Sequence, residues 1–164
     1  MKCVRSPGAR WHRLLAIAAL TQVAFLVGCG TVQRGSEDKQ ARLKSFSPVS
    51  GMTSLYVCRE NALWLNAGVT TKVLVDAKDI GTVRPNMFVH AVVPPGKHTL
   101  TMKNDGIAGV HSPQIDIETA ANEVLFLWIG GGFGYYTIDH FRSPAEGMAC
   151  VRDATYAVPA QAAL

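Results

Sequence analysis

Few of the patterns that usually carry chemistry occur in this 164-residue chain. There is no Cys-x-x-Cys and no close Cys/His pair. The histidines past residue 30, namely His90, His98, His111 and His140, are never two or four residues apart. No strand or helix therefore prearranges a metal site, and neither a metal nor a cofactor is expected. No serine lies in a Gly-x-Ser-x-Gly turn, so the usual signature of a hydrolase nucleophile is missing. The run Gly130-Gly131-Gly132-Phe133-Gly134 continues as Tyr135-Tyr136-Thr137, not as Lys-Ser/Thr or a helix, which argues against a phosphate cradle. Repeats of 20 to 50 residues are absent, and no apolar run reaches the roughly 20 residues that a bilayer-spanning helix needs. Charged residues are scarce at 17% against 48% apolar, which excludes a disordered chain; the length favours one domain.

Acidic residues are absent before residue 29, whereas Lys2, Arg5, Arg10 and Arg13 all fall there. Of 16 basic residues, removing these four leaves 12 against 12 acidic ones, so the net +4 belongs wholly to the first 13 positions. A nucleic-acid binder carries its excess on the folded part, and no nucleic-acid partner is expected. Residues 1–28 have the order of a signal peptide: a basic start, an apolar stretch from Leu14 to Val27, and small Gly28. The sequence Leu26-Val27-Gly28-Cys29 then resembles the lipobox of bacterial lipoproteins. That resemblance implies a diacylglycerol on the Cys29 thiol, cleavage before Cys29 and acylation of the new amine, for instance with palmitate. Gly30 follows the cysteine where lipoproteins of the inner membrane often carry Asp. The expected location is therefore the periplasmic face of the outer membrane, with the membrane as a partner through the lipid.

Cys3 leaves with the signal and Cys29 takes the lipid, so Cys58 and Cys150 remain as an even pair in an oxidising compartment. A disulfide between them is expected; the alternative is two buried free thiols acting as small hydrophobes.

Residues 29–51 join the lipidated cysteine to a polar segment with Arg34, Glu37, Asp38, Lys39, Arg42 and Lys44, which reads as a flexible tether of ~25 Å root-mean-square span. Within them Ser36-Glu37-Asp38 has the form of a helix start. Residues 52–153 read as short strands separated by turns: Leu55–Cys58, Lys72–Asp76, Ile80–Val83, Met87–Val93, His98–Met102, Gln114–Glu118, Val124–Ile129, Tyr135–Ile138 and Met148–Val151. Residues 154–164 are Ala-rich and expected to fray. Seven to nine short strands without a long helix predict an all-β fold, a small antiparallel β-sandwich.

The order Leu55-Tyr56-Val57-Cys58-Arg59, Val73-Leu74-Val75-Asp76, Ile80-Gly81-Thr82-Val83, Phe88, Pro95-Gly96-Lys97-His98-Thr99-Leu100 resembles the domain-of-unknown-function 2846 family of secreted proteins and lipoproteins. The resemblance spans about residues 53–130 and implies a small β-sandwich with no catalytic residues to transfer. The chain departs from the family at Ala77 and Asn122, where Gly is usual, and at Cys58, where a larger apolar residue is usual.

Trp128, Phe133, Tyr135 and Tyr136 surround the glycine run and are the candidate binding residues, able to fill a partner's pocket or stack on sugar rings. Trp64 is a further aromatic candidate, and His98 reads as structural. No catalytic residue is assigned and the chain is read as a non-enzyme. The expected function is a lipid-anchored binding or envelope-structural protein that engages an envelope protein partner. The alternatives are cell-wall glycan binding through the aromatic-glycine loop and an envelope hydrolase whose residues converge only in the fold.

Overall fold

The computed structural model describes residues 32–61, 68–105, 112–132 and 135–159. Cys29, Trp64, His111 and Phe133 lie outside them, as does the side chain of Tyr135. The elements in chain order are α1 (Glu37–Leu43), β1 (Thr53–Arg59), β2 (Thr70–Val75), β3 (Lys78–Val83), β4 (Met87–Val93), β5 (Gly96–Asp105), β6 (Gln114–Thr119), β7 (Val124–Gly132), β8 (Tyr135–His140), α2 (Pro144–Asp153) and β9 (Thr155–Tyr156). They build a sandwich of two sheets, ordered β8-β7-β1-β4-β9 and β3-β2-β5-β6. The all-β sandwich is thus as expected. It is not purely antiparallel, however, because β1 pairs parallel with β7 and β4 parallel with β9.

The main core fills the space between the sheets. Leu55, Val57, Val89, Leu127 and Ile129 on one side meet Val73, Val75, Leu100, Met102 and Ile117 on the other. Full burial of such a side chain contributes about 1.5–3 kcal/mol. β6 alternates cleanly, with Ile117 buried while Gln114, Asp116 and Glu118 face water. β1 instead is buried at all seven positions. Its other face, with Tyr56 and Cys58, joins Phe46, Phe88, Phe126, Val151 and Tyr156 in a second core beneath the helices.

That second layer comes from segments expected to be something else. Residues 148–151 lie in α2, not in a closing strand. The Ser143 hydroxyl accepts from the Glu146 amide as N-cap, Pro144 takes the first turn, and Gly147 and Val151, four apart, form the buried face. The cysteines are joined: the Cys58–Cys150 disulfide, with Cα atoms 6.3 Å apart, pins α2 to β1.

The segment expected to be a free tether is docked from Val32 onward. The Gly35 amide donates to Tyr156 O (2.9 Å), the Val158 amide donates to Gln33 O (3.1 Å), and Arg34 bridges Ala157. α1 forms where Ser36 caps it. The Gln40 side chain accepts from the Tyr156 amide (2.8 Å), and Tyr56 Oη donates to Leu43 O (2.8 Å). Phe46 follows with φ 54°, a conformation that costs a non-glycine residue roughly 1–2 kcal/mol. Its ring packs edge-on against Tyr56 and Phe126, both at 5.5 Å, and burying an aromatic of that size outweighs the strain. The expected fraying tail is likewise folded as far as Pro159, with Ala154, Tyr156 and Ala157 buried.

Candidate functional site

The candidate aromatics divide between the two faces of the five-stranded sheet. Tyr136 lies opposite Gly131 and points between the sheets, only 8% exposed, with the Arg59 guanidinium 5.4 Å from its ring centre. A buried ring cannot stack on a sugar, so Tyr136 is removed from the binding set. The expected glycine loop is also mostly strand: Gly130, Gly131 and Gly132 pair with Thr137, Tyr136 and Tyr135, leaving Phe133-Gly134 as the connection.

Trp128 is half-buried on the opposite face, where β7 alternation sets it beside Phe126. Its ring abuts Gly130 so closely that a Cβ there would overlap Cζ3 of the six-membered ring, in the plane of the ring. It is therefore the edge of the indole that meets the backbone. With Glu60, Phe141, Arg142 and Glu146 it lines a cleft of about 320 Å³. Three elements supply these groups: Glu60 follows β1, Phe141 and Arg142 follow β8, and Glu146 stands in the first turn of α2. The result is an aromatic surface rimmed by one guanidinium and two carboxylates. The Phe141 amide donates to Phe126 O at 3.5 Å, a long bond that ties the loop before α2 to β7.

Sequence reasoning found Trp128 but missed the other four. The available signal was Ser143-Pro144-Ala145-Glu146, a Ser-x-x-Glu capping box with proline at the first helical position. It places a helix start, and so an acidic first turn, where a strand was expected.

A second cluster contains a histidine, acids and a hydroxyl. The His98 ring is 8% exposed and holds Asp76 Oδ2 at 2.6 Å through Nδ1 and Pro94 O at 2.8 Å through Nε2. Both partners are acceptors, so both nitrogens carry protons and the ring is an imidazolium. The Asp76 hydrogen bond raises the pKa of His98 above its ordinary value, opposed by desolvation and aided by Pro94 O and by the charge of Asp76. Asp76 is shifted down, first by the His98 hydrogen bond and then by the Thr99 amide, which donates to Oδ1 at 3.0 Å. A general base needs a free lone pair beside its nucleophile, and His98 has none. The nearby Thr99 hydroxyl donates instead to Asp116 Oδ1 at 2.7 Å. The cluster is thus a structural clasp joining the β2–β3 and β4–β5 turns, as the position of His98 implied.

The other described histidines, His90 and His140, do not assemble with it. The His90 ring stacks obliquely on Tyr56 at 4.7 Å, and burial, helped by the charge of Lys39, lowers its pKa to about 4. His140 is exposed at the end of β8. Among the described residues, no group of three or more His, Cys, Asp or Glu is placed to hold a metal. No family model matches the chain, and no curated protein matches it.

Proposed function

We propose that this chain is a lipid-anchored, non-catalytic binding protein of the bacterial envelope. Cys29 would carry the lipid at the periplasmic face of the outer membrane, and the β-sandwich would engage a protein partner through the Trp128 cleft. The single observation that carries the binding reading is that cleft. Trp128 is wedged edge-on against Gly130 with Phe141 and Arg142 lining the same cleft, and Trp and Arg are among the residues most enriched in the energetic centres of protein interfaces. A ring already fixed in place loses little entropy on binding. The lipobox resemblance, the signal-like residues 1–28 and the resemblance to the 2846 family support the anchor and the compartment.

Glycan binding is the second reading, favoured by the same half-buried indole, since an aromatic ring lining a cleft can stack on a sugar and the Glu60 and Glu146 carboxylates could accept sugar hydroxyls.

The test is a photo-crosslinker at Arg142 in the full-length lipoprotein, irradiated in living cells. An adduct of fixed mass that drops by about tenfold in Trp128→Ala is expected, the loss a hot-spot aromatic produces. A heterogeneous adduct that collapses on cell-wall digestion would replace the protein partner by a glycan. No adduct would overturn the cleft as a contact site.

A further inference from the structure

The two ends of the sandwich differ in chemistry. Along β1, Thr53 faces Val93 of β4 and Ser54 faces Val124 of β7, so the end of β4 and the start of β7 share one end of the molecule. The turn before β1 joins them there, since the Gly51 amide donates to Asn122 Oδ1 at 2.9 Å. Val92 and Val49, 43% and 37% exposed, are the exposed large apolar residues among those described, and both belong to this end. A cleft of about 500 Å³ opens beside Val92; Val75, Ile80, Pro94 and Pro159 line it, but so do Asp76, Asp79 and His98. Trp128 faces Cys58 near the far end of β1, and Glu60 lies just past that end. Val92 is level with Ser54 and Trp128 with Cys58, so the two are separated along β1 by four residues, roughly 13 Å, and Glu60 lies two residues further.

The docked N-terminal segment adds the second observation. Gln33 is bonded to Val158, the neighbour of Pro159 in the Val92 cleft, and Val32 packs against the main core. Cys29 lies only three residues before Val32. Fully extended, three residues span at most ~11 Å, less than half the reach of the tether expected from composition. A lipid on Cys29 would hold Val32 within that distance of the acylated residue.

We propose that the end of the sandwich bearing Val92, Pro94 and Pro159 rests on the membrane surface, and that the Trp128 cleft consequently faces away from it. This orientation rests on the reading of Cys29 as the lipidated residue. The exposed Val92 side chain and the two prolines suit the boundary between headgroups and acyl chains. This end carries both signs, Lys78, Lys97 and His98 beside Asp76, Asp79, Asp116 and Glu118, and Asp79 is paired with Lys72; with no basic excess to attract anionic headgroups, the covalent anchor and apolar contact hold the domain there.

The test uses the full-length lipoprotein in vesicles of phosphatidylethanolamine and phosphatidylglycerol, with a photo-crosslinker at Val92 or at Glu60. Lipid adducts are counted by mass spectrometry, alongside flotation and the acyl mass on Cys29. The expected result is flotation with both variants and at least ~5-fold more lipid adduct at Val92, because the two positions differ in height by the length of β1. Inserting about 20 Gly/Ser residues after Gly30 should preserve flotation and erase the difference, since such a linker frees the domain. A protein that floats with equal adducts at both positions overturns the orientation alone. A protein that neither floats nor carries an acyl group on Cys29 overturns the anchor and the orientation together.

Discussion

Ala77 occupies the second central position of the two-residue β2–β3 turn with φ 66°, after Asp76 at 48°. Positive φ at both positions is the pattern of a type I′ hairpin, where glycine is usual at the second. Asp76 is committed to His98 and Thr99, so the strain at Ala77 is tolerated and not designed out. Ala77→Gly should stabilise the protein by about 0.5–1 kcal/mol, the left-handed cost relieved less the extra freedom of glycine in the unfolded chain. Urea unfolding would measure it, and an unchanged or lower midpoint would refute the strain. The histidines predict a pH optimum. His98 has a raised folded pKa, so its contribution is complete below its unfolded value of 6.5 and is lost as pH rises through the folded value. His90 has its folded pKa lowered from 6.5 to about 4, so stability falls as pH drops from 6.5 towards 4. Urea midpoints should therefore peak near pH 6.5. His98→Gln should flatten the alkaline arm and His90→Leu the acidic one.

Among the elements, α2 approaches β7 through Gly147, where a Cβ would overlap the Cβ and ring of Phe126. Helix propensity alone would make Gly147→Ala favourable by about 1 kcal/mol. Overpacking typically costs 1–3 kcal/mol and here would also lever α2 away from the disulfide, so we expect net destabilisation of about 1–2 kcal/mol. A rise in the thermal midpoint would refute the close approach. The strands themselves were largely legible in the sequence. Gln114–Glu118 alternates, Met87–Val93 ends at a proline, and the Asp76-Ala77 turn separates two β-branched runs. The layer over β1 was not legible, for two physical reasons. Residues 148–151 are too few and too apolar to distinguish helix from strand by period, and the deciding cap lay upstream at Ser143. Residues 33–35 dock through backbone hydrogen bonds, which leave no mark on side-chain pattern. The same reasons hid most of the Trp128 cleft. Its tryptophan sat beside a conspicuous glycine run, while Glu60 and Glu146 meet only because β1 and α2 are brought together.

For the whole molecule, the Cys58–Cys150 disulfide closes a separation of 92 residues. Loop-closure entropy for such a separation is worth ~4–5 kcal/mol, comparable to the entire stability of many small domains. The variant with both cysteines changed to serine should lose a large part of that, read as a lower urea midpoint, while reduction of the wild type should match it. An unchanged midpoint would mean that the two cores suffice without the bridge. The first and last described segments also hold each other. Gln33 and Gly35 bond to Val158 and Tyr156, and α1 closes over a core to which Val151 and Tyr156 contribute. If the chain is exported N-terminus first, as the proposed signal role of residues 1–28 would require, Leu43 and Phe46 can meet Tyr56 early, but Gln33 and Gly35 lack their partners until nearly the last residue is through. Such a chain completes its architecture only at the end of its passage. The order in which the polypeptide appears, and not only its final contacts, then sets when the protein can first exist as a folded object.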